Sequence, residues 1–357
     1  MKILTLVWSI GIGGTERAAV NYAIGYRQQG HDSKVLVLGE GDERLPDLVE
    51  AGVDTSFSKS DIRGSESVFA SLKMWCPDII HLHNFTNAFI PYINKLKSAN
   101  TKVVETNVFS RPNYDEGYKI VSLSMQLSGW GYWKYANWMK GAAYTPQSAV
   151  VPYIVFEKKF ATPSKEHINA FIKSHGIPEG AFVAGRLGQA HPSKWDSRIF
   201  EVAEKTVKPE NSIYFFFVGL PGVMKKELEE KSEFIKSRIK LIDSIHGDEN
   251  LSLYYHSLNC FTHISKIGES FGYVLAEALM CKVPVITMLT PYHDNAQLEV
   301  VGHNYGGLCV TDTSSFVFSV MQLYNSPEEC ERFRKNLDNH WIEKRFGATA
   351  VVPKQVE

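Results

Sequence analysis

Short apolar runs alternate with longer amphipathic stretches along the chain, and this rhythm restricts the fold more than any other feature of the sequence. The runs predict strands at residues 2–8, 34–38, 78–83, 102–105, 119–124, 148–152, 182–187, 213–218, 238–242, 259–264 and 283–287. The stretches between them, such as 15–30 and 196–205, have the apolar spacing of helices. Continuous runs of Val, Ile and Leu between helices are typical of parallel sheets that helices cover on both faces. We therefore predict an α/β fold.

The strand–helix rhythm restarts near residue 182, which predicts two domains. A chain of 357 residues is also too long for one hydrophobic core, because such cores stop growing at roughly 250–300 residues. We place the junction in the charged segment 156–177 and predict Rossmann-like domains at 1–160 and 161–330. The charged stretch 327–345 predicts one or two helices, and we expect residues 331–357 to pack back on the first domain.

Composition and charge argue against several classes of protein. The formal charge of -1 provides no basic field that would hold nucleic acid. The five cysteines are scattered without a C-x-x-C pair, which argues against a disulfide framework and a zinc site. The N-terminal apolar run is too short for a signal peptide, and no stretch approaches the ~18 apolar residues of a membrane span. We expect a cytoplasmic protein that can also lie at the inner face of a membrane.

The loop at residues 9–17 follows the first predicted strand and opens a helix. Gly11 and Gly13 match the first two positions of a dinucleotide fingerprint, but Glu16 occupies the third and argues against a classical NAD site. Gly13 and Gly14 would let a phosphate or a sugar approach the backbone at the start of the helix. A tight strand–helix turn is the alternative interpretation.

The segment 268–278 carries the strongest chemical signal. Glu269 lies in a loop, and Glu277 lies on a helix predicted to begin near Phe271. At 3.6 residues per turn, this spacing rotates Glu277 by only ~80° from Glu269, so that both carboxylates can border one ligand and hold its hydroxyls. A diphosphate suits the amides at the predicted start of the helix, those of Ser270, Phe271 and Gly272. A charged helix cap with a surface glutamate is the alternative.

Two histidines occupy the end of the strand at 78–83. A neutral imidazole at His83 could hydrogen-bond a sugar hydroxyl or take part in proton movement. We expect His81 to point to the opposite face of the strand. The alternative for both residues is a satisfied core histidine.

These motifs together resemble the retaining GT-B glycosyltransferases of family four, also called glycosyl transferases group one. Glu269 and Glu277 match the E-x7-E region of that family, and residues 283–286 match the Pro-Val-Ile strand after it. Four further segments match motifs of the family. Gly13–Glu16 matches G-G-[TA]-E in the first loop, and residues 77–83 match P-D-[VI]-[VI]-H-x-H at a strand end. Residues 185–187 with Lys194 match the G-R-[LI]…K clamp for the donor, and residues 217–222 match the V-G-x-G turn. The resemblance covers most of the chain.

The resemblance implies a GT-B fold, in which two Rossmann-like domains face each other across a cleft. The domain at 1–160 would bind the acceptor, and the domain at 161–330 the nucleotide sugar. The implied activity is a retaining, metal-independent transfer of a hexose from a UDP-sugar or GDP-sugar to a hydroxyl of a glycan, a lipid-linked sugar or a small molecule. Such a reaction belongs to polysaccharide biosynthesis and needs no cofactor. We also find no D-x-D sequence and expect no metal site.

The resemblance also assigns roles to residues. Glu269 would contact the donor sugar, Glu277 would hold the ribose, and His83 would lie near the donor sugar or the acceptor. Two cations, Arg186 and Lys194, would clamp the diphosphate and stabilise the leaving nucleotide. The gap between these two cations is longer than the commonest spacing in the family, and Trp195 stands where the family often has Gly. The segment 294–299 resembles a D-N-A-Q-x-E subgroup motif, although a capped helix start would also explain it.

Other interpretations remain open at this stage. A sugar-nucleotide epimerase of the same fold would bind the same donor, and a non-catalytic two-domain binding protein would bind a ligand without turnover. The segment 129–141 contains three of the seven tryptophans beside two lysines. Such a composition suits contact with a lipid–water interface or a sugar, and a helix that covers the N-terminal core is the alternative.

Overall fold

The computed structural model describes residues 1–58, 62–156, 160–245, 247–338 and 340–356, without the side chains of 62–65, 355 and 356. Residues 157–159 of the predicted junction therefore lie outside the described residues. The chain divides into two compact units, Met1–Phe156 with Lys344–Glu357, and Glu157–Glu343. Residues 331–343, which we predicted to belong to a separate C-terminal segment, are part of the second unit.

The strands of both units are parallel to their neighbours throughout. In chain order they are β1 (Lys2–Val7), β2 (Asp32–Val37), β3 (Asp54–Phe57), β4 (Ile79–His83), β5 (Lys102–Asn107), β6 (Leu123–Gln126), β7 (Gln147–Val150), β8 (Phe182–Leu187), β9 (Ile213–Val218), β10 (Ile239–Ile242), β11 (Cys260–His263), β12 (Val285–Met288) and β13 (Gly307–Val310).

The helices lie between these strands and at the end of the chain. They are α1 (Gly14–Gln28), α2 (Leu45–Glu50), α3 (Ile62–Trp75), α4 (Ile90–Leu96), α5 (Gly129–Trp138), α6 (Lys165–Ser174), α7 (Arg198–Thr206), α8 (Gly222–Glu229), α9 (Glu233–Arg238), α10 (Asp248–His256), α11 (Tyr273–Met280), α12 (Gln297–Val301), α13 (Thr313–Asn325), α14 (Pro327–Leu337), α15 (Trp341–Phe346), α16 (Ala348–Val351) and α17 (Pro353–Val356). Every helix in the described part of the chain falls short of what a bilayer span requires in length or in apolar content.

The first unit is built on a seven-stranded sheet with the strand order β3-β2-β1-β4-β5-β6-β7. Strand β1, the third in this order, is buried because its apolar side chains face helices on both sides of the sheet, and Leu6 pairs in register with Leu36 and Leu82. Helix α1 ends where Gly30 adopts a φ of 82°, a left-handed conformation that glycine tolerates and that stops a helix. The C-terminal residues return to this unit, where the amide of Val155 donates to the carbonyl of Phe346 (2.9 Å).

The second unit is built on a six-stranded sheet with the strand order β10-β9-β8-β11-β12-β13. Its core contains a cluster of fully buried aromatic side chains around β9 and α7, namely Trp195, Phe200, Phe215 and Phe217. In this strand order β8, β11 and β12 are neighbours, so the loops that follow them lie at one edge of the sheet. These are the loops that carry the predicted donor-binding residues.

The sequence prediction was wrong in three places. Strands β3 and β13 were not predicted, because their sequences DTSF and GLCV lack a long apolar run and both lie at edges of their sheets. The strand predicted at 119–124 begins instead with a 3-10 turn, Glu116–Ile120, and the strand itself starts at Leu123.

Candidate functional site

Glu269 lies in the loop after β11, and its polar partners come from three different elements, two of them bound by its side chain and one by its backbone amide. The ammonium of Lys194, from the loop after β8, lies 3.0 Å from Oε2. Nε2 of His263, at the end of β11, lies 3.2 Å from Oε1. The backbone amide of Glu269 donates to Oε1 of Gln297, the first residue of α12 (3.3 Å). Both oxygens of the carboxylate therefore have a partner, and the backbone amide of Glu269 has a third.

This arrangement keeps the Glu269 carboxylate charged. Burial alone would raise the pKa of Glu269, but the charge of Lys194 and the hydrogen bond to His263 outweigh burial and lower the pKa to about 2. Burial and the nearby guanidinium of Arg186 lower the pKa of His263 to about 4, although Glu269 opposes this shift. At neutral pH the group thus consists of a carboxylate, an ammonium and a neutral imidazole.

Arg186, at the end of β8, is almost fully buried and supports the loop that carries Lys194. Its guanidinium donates to the carbonyls of Leu187 and Lys194, the second at 2.7 Å, and lies 4.8 Å from the ring centroid of Trp195. Burial lowers the pKa of Arg186 to about 10, and the nearby Glu269 works against this shift, so the side chain stays cationic. Its Nε is buried without a hydrogen-bond partner among the described residues. Its predicted contact with a diphosphate remains a prediction.

The segment after Glu269 leads into α11. The helix begins at Tyr273, after Gly272 with a φ of 88° as the N-cap, so Ser270 and Phe271 precede its first turn. Glu269 lies outside the helix, so the helical rotation of ~80° that we predicted between Glu269 and Glu277 does not apply. Glu277 lies inside α11, is 2% exposed, and accepts a hydrogen bond from the hydroxyl of Tyr255 (2.7 Å).

Sequence reasoning did not assign a role to His263 and described the segment around Gln297 only as a loose motif. The structure shows that Gln297 donates from Nε2 to the hydroxyl of Thr290 (2.8 Å) while its Oε1 accepts from Glu269. Neither Asp294 nor Asn295 caps α12: its N-cap is Ala296, and Asn295 instead accepts from the amide of Thr290 (2.9 Å). A histidine inside the predicted apolar strand 259–264 was the sequence signal that could have revealed His263.

In the first unit, Gly13 is the N-cap of α1, and Gly14 is its first residue. A Cβ atom added at Gly14 would meet nothing within 4 Å, whereas one at Gly13 would collide with the carboxylate of Glu16. Arg44 braces this loop, since its Nε donates to the carbonyl of Gly11 (3.0 Å). The loop therefore presents an open backbone at Gly14 on a fixed support.

The prediction that His81 and His83 point to opposite faces of β4 is wrong. Their ring centroids are 4.5 Å apart, and both rings pack against Tyr22. Side chains alternate along a strand with a period of two, so residues two apart share a face. His81 is satisfied by Tyr26 and Thr106, each at 2.9 Å.

His83 differs from His81 because neither of its ring nitrogens has a hydrogen-bond partner among the described residues. The side chain is buried, and burial lowers its pKa to about 3. On the neighbouring strand β5, the side-chain amide of Asn107 donates to the carbonyl of Arg111 (2.8 Å) and accepts from the backbone amide of Arg111 (3.1 Å). A buried neutral imidazole with two unused nitrogens is the candidate ligand group of this unit.

Comparisons with known proteins were made for the sequence and for the structure. Residues 167–340 match the model of the family described as glycosyl transferases group 1. A comparison with curated protein sequences found no match.

Several solved structures are similar to nearly the whole chain. One is Alr3699/HepE of Anabaena in complex with UDP-glucose, with 17% identity and a TM-score of 0.74 over 99% of this chain and 98% of that chain. A glycosyltransferase from Rickettsia africae ESF-5 has 14% identity and a TM-score of 0.77 over 99% and 97%. The pneumococcal O-GlcNAc transferase GtfA in complex with UDP and GlcNAc has 11% identity and a TM-score of 0.69 over 99% and 97%. The likeness confirms the predicted fold, with two parallel Rossmann-like sheets.

Proposed function

Through residues 167–340 the chain belongs to the family of glycosyl transferases group 1 and is a nucleotide-sugar-dependent glycosyltransferase, and from this premise we propose how it holds its donor. The donor is a UDP-sugar, bound in the second unit at the ends of β8 and β11. The observation that carries this proposal is the pair formed by Lys194 and Glu269, with 3.0 Å between ammonium and carboxylate.

A nucleoside diphosphate sugar needs two kinds of contact that this pair can supply. Its diphosphate needs cations, and its sugar hydroxyls need hydrogen-bond acceptors. On binding, Lys194 turns to the diphosphate, and the freed oxygen of Glu269 accepts from a hydroxyl of the sugar. The backbone of Ser270 and Phe271, just before α11, lines the same ligand, and Glu277 holds the ribose.

Charge stabilisation is the main catalytic contribution of these residues. When the bond between the sugar and the diphosphate breaks, negative charge grows on the leaving UDP, and nearby cations lower the free energy of that state. Lys194 supplies such a charge directly. Arg186 supplies a second charge and holds the main chain of Lys194 in place. Transfer proceeds with retention at the anomeric carbon and without a metal ion, as the family resemblance implies.

The uridine base is proposed from two of the similar structures. The Anabaena structure holds UDP-glucose, and the pneumococcal structure holds UDP and GlcNAc. Those ligands are properties of those proteins, and their identities with this chain are 17% and 11%. GDP-sugars are the competing donors.

The acceptor is a hydroxyl of a glycan or of a lipid-linked sugar, and the first unit binds it. Gly14, next to the N-cap Gly13, offers open backbone at the start of α1, and His83 offers two ring nitrogens without partners among the described residues. A neutral imidazole can donate to one sugar hydroxyl and accept from another. This division leaves the charged contacts to the donor and the neutral contacts to the acceptor.

The helix α5 supports the proposal of a lipid-linked acceptor at the cytoplasmic face of a membrane. Its inner face covers the core of the first unit, where Tyr135 is buried. Its outer face exposes Trp133 (59%) and Trp138 (48%), and the ammonium of Lys134 lies 5.2 Å from the Trp138 ring. Exposed tryptophan beside lysine is typical of a lipid–water interface. Replacement of Trp133 and Trp138 by serine should reduce cosedimentation with anionic vesicles, and unchanged cosedimentation would contradict this part of the proposal.

The donor proposal is tested by calorimetric titration of the full chain with UDP, UDP-glucose and UDP-N-acetylglucosamine, in parallel with GDP and GDP-mannose. We expect binding of the uridine compounds and a loss of affinity in Lys194→Ala. The matched control is Lys205→Ala, because Lys205 pairs with Glu201 on an exposed surface of the same unit (2.6 Å). Binding of no nucleotide sugar at all would refute the proposal, and preference for guanosine compounds would refute the base.

Incubation with the donor alone separates transfer from epimerisation. A transferase releases UDP slowly by hydrolysis, whereas an epimerase of the same fold converts the donor sugar. Nuclear magnetic resonance of the anomeric proton distinguishes the two products and, once an acceptor is found, reports whether configuration is retained.

A further inference from the structure

Of the two described side chains that contact the Glu269 carboxylate, His263 is the one that is held in place by burial and by a second hydrogen bond. The imidazole is fully buried at the end of β11, with Nε2 at 3.2 Å from Oε1 of Glu269 and Nδ1 at 3.2 Å from the hydroxyl of Thr287. Thr287 lies on the neighbouring strand β12, pairs in register with His263, and is also fully buried. The imidazole is therefore held between a rigid strand and the acidic loop.

The chemistry of the partners fixes the tautomer of His263. A carboxylate only accepts hydrogen bonds, so Nε2 must carry the proton that is donated to Glu269. In the neutral imidazole Nδ1 then accepts, and the hydroxyl of Thr287 donates to it. Thr287 thus favours the tautomer that Glu269 requires. In metal sites, a hydrogen-bond partner on the second ring nitrogen fixes the tautomer of the ligating histidine in the same way.

The two oxygens of Glu269 have partners of different mobility. Oε2 is paired with Lys194, a long side chain that is 31% exposed. Oε1 is paired with His263, whose side chain is inaccessible to solvent. A diphosphate would attract Lys194 away from Oε2, because it carries more charge than one carboxylate. It cannot attract a neutral, buried imidazole in the same way.

We propose that His263 is the positioning residue of the donor site, holding Oε1 of Glu269 so that Oε2 can exchange Lys194 for a hydroxyl of the donor sugar. This inference rests on the proposed function and adds to it the group that orients the acid. Without His263, the departure of Lys194 would leave a nearly buried carboxylate with neither of its side-chain partners. That carboxylate would either turn away from the sugar or take up a proton, and in both cases the sugar contact is lost.

The experiment compares His263→Leu with His263→Gln, whose amide nitrogen can donate from a position near that of Nε2. The affinities for UDP and for UDP-glucose are measured separately, together with the pH dependence of UDP release. In His263→Leu we expect UDP affinity within about twofold of the wild type, while the preference for UDP-glucose over UDP falls roughly tenfold, the loss typical of a hydrogen bond to a charged group. His263→Gln should restore most of that preference.

The pH profile separates positioning from a merely structural role. In His263→Leu the acid limb of the rate of UDP release should move to higher pH, because burial of Glu269 is then opposed by fewer groups and its pKa rises. A structural histidine would change the stability of the protein without moving that limb. The matched control is His256→Gln, since His256 bonds the carbonyl of Ser252 in the same unit (2.9 Å).

The outcomes decide between the inference and its premise. If the wild type binds no UDP-sugar, the proposed function itself fails. If the wild type binds and Glu269→Gln weakens binding of the sugar, but His263→Leu keeps the sugar preference and the pH profile, the role of His263 is refuted alone. If His263→Leu does not fold, Thr287→Val carries the test. Without the hydroxyl that donates to Nδ1, His263 no longer prefers the tautomer that donates to Glu269, so the sugar preference should fall, by less than the roughly tenfold expected for His263→Leu. An unchanged preference would refute the proposal.

Discussion

The two candidate sites satisfy their polar groups in opposite ways. In the second unit, the charged side chain of Glu269 has a partner on each oxygen, Lys194 at 3.0 Å and His263 at 3.2 Å. In the first unit, His83 is buried against Tyr22 and His81, and neither of its nitrogens has a partner among the described residues. The carboxylate of the second unit has its charge paired before a ligand binds, whereas the imidazole of the first unit is neutral and has no hydrogen-bond partner among the described residues.

This difference follows from the cost of burial. A buried charge without a partner costs far more free energy than a buried neutral polar group, for which about 1–3 kcal/mol is typical. A charged site must therefore exchange one partner for another when its ligand binds, whereas a neutral site can wait for its partner. Substitutions in the second unit should change affinity and its dependence on charge, and those in the first unit should change stability and its dependence on pH.

The largest effect is expected for Glu269→Gln, which keeps the shape of the side chain and removes its charge. The amide has one accepting oxygen where the carboxylate has two, so kcat/KM for UDP release from UDP-glucose should fall roughly 100-fold. Glu201→Gln is the control, because Glu201 forms an exposed pair with Lys205 in the same unit. A kcat/KM within threefold of the wild type would show that the ion pair of Lys194 and Glu269 is not part of the donor site.

The next effect in size is expected for Lys194→Ala. UDP affinity, measured by calorimetry, should fall about tenfold, because one cationic contact to the diphosphate is lost. The decrease of affinity with added salt should also become less steep than in the wild type, since salt screens charged contacts. Lys205→Ala should leave both quantities unchanged. If the UDP affinity of Lys194→Ala and of the wild type decreased equally steeply with added salt, Lys194 would not make a charged contact with the diphosphate.

The sequence predicted most of the fold because buried parallel strands are continuous apolar runs. Strands β8 and β9 have the bounds that their runs predicted, 182–187 and 213–218. The method failed at β3 and β13, which are edge strands, and at 119–124, where a 3-10 turn precedes β6. Neither strand has a long apolar run, so the apolar pattern provides no signal there, whereas the edge strands β7 and β10 were predicted from their runs at 148–152 and 238–242.

The site was predictable only where its residues lie in a recognisable motif. Glu269 and Lys194 come from different loops, and their ion pair followed from no spacing in the sequence. Arg186 was expected to face a ligand, yet its guanidinium bonds the carbonyls of Leu187 and Lys194. His263 belongs to an apolar run, and its partner Thr287 is on another strand. Contacts between loops and strands depend on tertiary packing, which a local pattern does not contain.

His83→Phe should have a smaller effect, on the stability of the first unit. Phenylalanine fills a similar volume without unused nitrogens, so the free energy of unfolding should rise by about 1 kcal/mol at pH 7. UDP affinity should not change. Chemical denaturation followed by fluorescence measures the first quantity, and a loss of stability of similar size would show that hidden contacts hold the imidazole.

The same variant should also flatten the pH dependence of stability. The pKa of His83 is about 3 in the folded protein because of burial, against about 6.5 when unfolded, so the unfolded state binds this proton preferentially between those values. Wild-type stability should therefore fall as the pH drops below about 6.5, by up to about 1.4 kcal/mol per pH unit from this group. His83→Phe lacks that contribution, whereas replacement of the exposed His167 of α6 should retain it. Parallel curves for the wild type and His83→Phe would contradict the account.

Removal of divalent metal should have the smallest effect, because in the second unit the charges that a metal would supply already belong to side chains. The ammonium of Lys194 stands beside Glu269, and the buried guanidinium of Arg186 lies behind it. EDTA should therefore change the rate of UDP release by less than about twofold, an expectation that rests on cationic side chains replacing the metal. The charge-poor variant Lys194→Ala sharpens the test, since added Mg²⁺ should partly restore its rate while leaving the wild type unchanged. If EDTA slowed the wild type more than tenfold, the reaction would require a divalent metal ion. The cationic side chains Lys194 and Arg186 would then not be sufficient to neutralise the leaving diphosphate.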